Sequence, residues 1–190
     1  IFVFFLIGLI ASLISGWIAF PNLLYSTKQQ PIDFSHKAHV AQMDCSSCHF
    51  FRDDGSFAGA PTLDECKSCH MYPMSNDPDE QKFIEEYVKK DKEVPWLTYA
   101  EQPPCVFFSH AAHVKGADME CRTCHGDIGQ STSLREYQEN RITGYSRDIW
   151  GYGMLRVGEA RHGRRHKMND CAECHLKETG SKGDCFQCHK

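Results

Sequence analysis

Five times along the chain, two cysteines three positions apart are followed at once by a histidine: Cys45, Cys48 and His49; Cys66, Cys69 and His70; Cys121, Cys124 and His125; Cys171, Cys174 and His175; and Cys185, Cys188 and His189. These motifs use ten of the eleven cysteines and five of the eleven histidines in 190 residues. Structural zinc also takes Cys-x-x-Cys pairs, and an oxidising compartment joins thiols as disulfides. Neither chemistry needs a histidine directly behind the second cysteine, whereas covalent haem c attachment uses all three residues. Two thiols one turn apart add to the two vinyl groups of one porphyrin, and the adjoining imidazole meets the iron from one face. The motifs therefore predict five covalently bound haem c groups.

Residues 1–20, IFVFFLIGLIASLISGWIAF, carry no charge. As a helix they reach about 30 Å, the thickness of a bilayer's hydrocarbon layer. A cleaved signal peptide ends in small residues, which Trp17–Phe20 does not offer. A buried core helix is the other alternative, but the uncleaved anchor over 1–21 is the reading adopted, with Pro21 and Asn22 ending it. A short basic stretch is expected ahead of Ile1. Haem is attached outside the cytoplasmic membrane, so the expected location is that membrane, single-pass, with the haem domain on the periplasmic side. The formal charge of −4 gives no reason to expect nucleic-acid binding.

After a polar linker, 22–33, the segment FSHKAHVAQMDCSSCH at 34–49 returns as FSHAAHVKGADMECRTCH at 108–125, with two residues inserted. This internal repeat divides the chain into a dihaem module, 34–76, and a trihaem module, 107–190. Residues 77–106 connect them as a helix and an extended, Pro-broken stretch. Asp77 suits a cap, Pro78 a first turn, and Phe83, Ile84, Tyr87 and Val88 a buried stripe. Five porphyrins leave little room for regular structure, so the fold class is mostly irregular with short α-helices.

Six histidines lie outside the motifs: His36, His39, His110, His113, His162 and His166. That is close to the number needed for mostly or all bis-His ligation. Histidines spaced as in His-x-x-His share a helical face yet diverge, which suits two adjacent irons better than one. With the Phe-x-His-x-x-His openings, the chain resembles the small cytochromes of the c7 and c3 type. That resemblance implies the pairs His36–His49, His39–His70, His110–His125 and His113–His175, with His166 serving His189 and His162 as its alternative. Met43, Met119 and Met168 precede cysteine pairs and are read as packing residues.

Cys105 belongs to no motif. It is either a small buried hydrophobe or the single thioether of a sixth haem. Arg161, Arg164, Arg165 and Lys167 suit haem propionates, a partner or plain solvation. Residues 141–153, RITGYSRDIWGYG, are read as a docking loop.

The anchor, the two-plus-three motifs, the paired FSH segments and VPWLTY at 94–99 together resemble the multihaem cytochrome c subunits of membrane quinone oxidoreductases. Residues 124–151, CHGDIGQSTSLREYQENRITGYSRDIWG, look nearer to menaquinone reductase (Qrc) than to alternative complex III. The Qrc-type cytochrome is hexahaem, which draws attention to Cys105. This resemblance implies an electron-transfer subunit fed by a soluble periplasmic cytochrome c, with iron-sulfur and integral membrane subunits as partners and menaquinone as acceptor. It implies no catalytic residues on this chain. A quinol-oxidising complex and a NapC/NrfH-type quinol dehydrogenase are the alternatives; a nitrite reductase would need an open iron, often through Cys-x-x-Cys-Lys, which is absent.

Overall fold

The computed structural model describes residues 2–99, 102–146 and 168–189. It begins with a helix, α1, over Phe2–Leu24, none of whose described side chains is buried. This helix is long and apolar enough to cross a membrane. It does not end at Pro21 as expected. The wider π-helical turn Ser15–Ala19, closed by the Phe20 N–H on the Ser15 carbonyl, precedes a last α-helical stretch, Phe20–Leu24. Such a turn relaxes the ladder where a proline would otherwise break it.

The residues after α1 are not a free linker. Tyr25–Lys28 forms strand β1, antiparallel to Tyr137–Asn140, strand β2, with Tyr25 opposite Asn140 and Lys28 opposite Tyr137. Lys28 pairs with Glu139 at 2.7 Å, and the Arg141 N–H donates to the Leu24 carbonyl at 2.8 Å. The end of α1 is thus bonded to the second half of the chain, more than a hundred residues downstream.

Short helices carry the sites: α2 His36–Val40, α3 Leu63–Lys67, α4 Pro78–Val88, α5 Ala111–Gly116, α6 Cys121–His125, α7 Met168–Thr179 and α8 Cys185–Cys188. Asp77 caps α4 by accepting from the N–H groups of Asp79 at 2.8 Å and Glu80 at 3.4 Å. The stripe Phe83, Ile84, Tyr87 and Val88 is buried with Ile32, Leu63 and Val94, and Cys66 and Trp96 pack against this core. The extended stretch after α4 docks on the 22–33 segment, where the Gln30 side chain exchanges hydrogen bonds with the Leu97 carbonyl and N–H at 3.0 and 3.1 Å.

The two modules interlock. The Lys37 N–H donates to the Ser131 carbonyl at 2.9 Å, and the Leu134 N–H to the Asp33 carboxylate at 2.7 Å. In the other direction, Phe57 of the first module stacks on His110 of the second, centroids 4.1 Å apart, and Lys115 lies over the Phe51 ring at 4.3 Å.

Candidate functional site

Each Cys-x-x-Cys-His motif forms about one helical turn. The histidine N–H donates to the carbonyl of the first cysteine at 2.8 Å for His49, 2.9 Å for His70 and 2.9 Å for His189. The turn sets both sulfurs on one side with the imidazole beside them. The fourth motif lies within α7, where Cys171 and Cys174 stand one turn apart, with Cys174 exposed and His175 directly behind it. None of the eleven cysteines is joined in a disulfide. Among the described residues, no three His, Cys, Asp or Glu side chains converge as a zinc site does. Burial pushes the Cys48, Cys124 and Cys171 thiols up, and that of Cys66, against the core, to about 11.

The repeated segment is built alike in both copies. Ser35 and Ser109 cap it, their hydroxyls accepting from the N–H groups of Ala38 at 3.3 Å and Ala112 at 3.2 Å. Their carbonyls face Nδ1 of His39 and of His113, each at 2.8 Å. Phe34 stacks on His39 and stands edge-on to His36; Phe108 does the same to His113 and His110. The first copy is an α-helical turn and the second a π-helical one, the latter running over the two inserted residues.

Three histidine pairs from distant parts of the chain face one another. Ring centroids are 6.0 Å apart for His39 and His70, 6.4 Å for His110 and His125, and 6.0 Å for His113 and His175. Two imidazoles on opposite faces of one iron, with metal–nitrogen bonds of about 2 Å, have centroids about 6 Å apart. The second ring nitrogen also fits. Nδ1 is engaged by the Ser35 and Ser109 carbonyls for His39 and His113, by the Gly59 carbonyl at 2.5 Å for His49, and by the Glu80 carboxylate at 2.7 Å for His70. That leaves Nε2 of each for a metal, with the hydrogen-bond partner on the far nitrogen that ligating histidines carry.

His36 Nδ1 is 3.3 Å from the Ser131 hydroxyl. Burial first, then the neighbouring His49 and His39, lowers its pKa; burial, His113 and His49 do so for His110.

His189 sits where Val106 bridges to it and the Phe107 N–H donates to the Cys188 carbonyl at 2.7 Å. Exposed Cys105 therefore lies beside the fifth motif. The partner expected for His189, His166 with His162 as its alternative, the basic run Arg161–Lys167 and residues 147–153 of the expected docking loop lie outside the described residues. Met43 has its sulfur 3.8 Å from Cys48 Sγ, and Met168 is exposed at the start of α7.

Sequence reasoning missed Glu80 and Phe57. Burial of the Glu80 carboxyl works against its charge, but hydrogen bonds from Ser75, Met74 and His70 outweigh it and hold the pKa at about 2. Glu80 reads as an ordinary acid in a first helical turn, and Phe57 as a loop aromatic. Only the backbone path of the loops brings them to a histidine.

Repeated haem-attachment turns, facing imidazoles and a small polypeptide core define a multihaem c-type cytochrome of c3/c7 type. Residues 19–95 match the class III cytochrome c family, and residues 106–190 match cytochrome c7 and related cytochromes c. The menaquinone reductase multihaem cytochrome c subunit of Nitratidesulfovibrio vulgaris (strain Hildenborough) is 43% identical over 98% of this chain and 89% of its own length. This chain belongs to that family of menaquinone reductase cytochrome subunits.

Proposed function

We propose that the chain is the electron-transfer subunit of a membrane menaquinone reductase, taking single electrons from a soluble periplasmic cytochrome c and delivering them to an iron-sulfur partner. The 6.0–6.4 Å facing of the three described histidine pairs carries the reading. Haem c, when bound, supplies one-electron iron chemistry at a potential set by its axial ligands and surroundings.

The chain's residues do the rest. Ten motif cysteines anchor five groups, and His49, His70, His125, His175 and His189 take one face of each. His36, His39, His110, His113 and His166 take the other. With both axial positions filled, these five groups would offer no open iron to a substrate, so they would transfer electrons without catalysing bond chemistry. Cys105, exposed beside the fifth motif, is either a plain thiol or the single attachment point of a sixth group. Helix α1 anchors the chain in the cytoplasmic membrane, with the haem domain periplasmic, and the integral membrane subunits meet it there.

Twenty-five acidic against twenty-one basic side chains favour a basic electron donor, so donor encounter slows as salt rises. The deciding experiment mixes the native complex rapidly with reduced periplasmic cytochrome and a menaquinone analogue, and separately with menaquinol. Haem reduction by the cytochrome followed by quinone-dependent reoxidation is expected. Prompt reduction by menaquinol with little reverse turnover would mean a quinol-oxidising complex instead.

A further inference from the structure

Among the axial-ligand candidates, His39, His49 and His113 face backbone carbonyls through Nδ1, but His70 faces a carboxylate. Glu80 Oε1 is 2.7 Å from His70 Nδ1 and also accepts from the Met74 N–H at 2.9 Å. Its Oε2 accepts from the Ser75 N–H at 2.8 Å and the Ser75 hydroxyl at 2.5 Å. The Glu80 side chain is only 10% exposed, and Asp77 caps the turn that carries it. A carboxylate so enclosed cannot swing away from the imidazole, and Phe83, one turn further along α4, stands edge-on to the same ring at 6.0 Å. A full negative charge that accepts the Nδ1 proton increases ligand basicity and favours ferric iron over ferrous.

We propose that Glu80 is a positioning residue that lowers the reduction potential of one haem, that attached at Cys66 and Cys69, through its hydrogen bond to His70. The inference rests on His70 being an iron ligand. It makes the second motif a lower-potential site than its backbone-bonded neighbours would be in the same surroundings, so that electrons reside there least.

The test is a spectroscopic redox titration of the haem-loaded full chain as wild type, Glu80→Gln and Ser75→Ala. Glu80→Gln removes the charge at constant size, and one midpoint is expected to rise while the others stay. Ser75→Ala removes a donor competing for the carboxylate, so the same midpoint is expected to fall. Opposite signs at one haem are not produced by general loosening of the loop. Unmoved midpoints, or all midpoints drifting together in both variants, overturn the proposal. The near-infrared magnetic circular dichroism band of bis-imidazole haem separates two kinds of failure. If the second-motif haem shows that band and its potential is unmoved, Glu80 alone loses its role; if it lacks the band, the ligand reading of His70 falls as well.

Discussion

His110 and His125 face each other with their ring planes 4° from parallel, although fourteen residues, a cysteine pair among them, separate them in the chain. The other facing pairs are more twisted: 22° for His113 and His175, 47° for His39 and His70. Parallel imidazoles overlap the same iron d orbital and split the d levels most; twisted ones share the interaction between two orbitals. Low-temperature electron paramagnetic resonance of the oxidised chain is expected to rank the three haems in this order, with the third motif least anisotropic and the second most. The reverse ranking would show that the rings are not paired on common irons.

Phe57 stacks on His110 at 4.1 Å and lies nearly parallel to His49 at 6.5 Å, so one ring bridges ligand candidates from both modules. Phe57→Ala is expected to slow electron equilibration between the modules after pulsed one-electron reduction. It should also destabilise the chain by about 2 kcal/mol, less than the roughly 3–5 of a fully buried phenylalanine, because Phe57 is half-buried. An unchanged equilibration rate would place the crossing elsewhere.

Helix α3, which carries Cys66, starts on a capping box in which the Thr62 N–H and hydroxyl donate to the Glu65 carboxylate. Thr62→Ala is expected to cost about 1 kcal/mol in denaturant unfolding of the haem-loaded chain. The hydrogen bond from the Thr62 hydroxyl, followed by that from its N–H, holds the Glu65 carboxyl below its ordinary range in spite of some burial. Its folded pKa is thus below its unfolded one, so its contribution is present above the unfolded carboxylate pKa and is lost as pH falls through the folded one. Glu65→Gln should flatten this acid limb, and a limb of unchanged slope would discount the box.

Cys105 is the cysteine outside the motifs, and it lies where Val106 and Phe107 pair with His189 and Cys188. Intact mass of the holo-chain is expected to show six haems in the wild type and five in Cys105→Ala. An undiminished haem complement in the variant would make Cys105 a plain thiol.

Much of this chemistry is local and so legible in the sequence. Five attachment turns, the doubled FSH segments and the capped stripe of α4 need only near neighbours along the chain, because a turn's hydrogen bonds and a helical face span about four residues. The uncharged run that became α1 was equally plain, while its continuation past Pro21 depended on the π-helical turn ahead of it. What only the tertiary structure decided are the long-range meetings: β1 on β2, Phe57 between His49 and His110, Ser131 on His36, and Glu80 on His70. No periodicity announces these, since loops set them and a loop's path follows from what it packs against. Residue types and spacing determined that this is a haem-binding chain; the folded backbone decided which groups press on each imidazole.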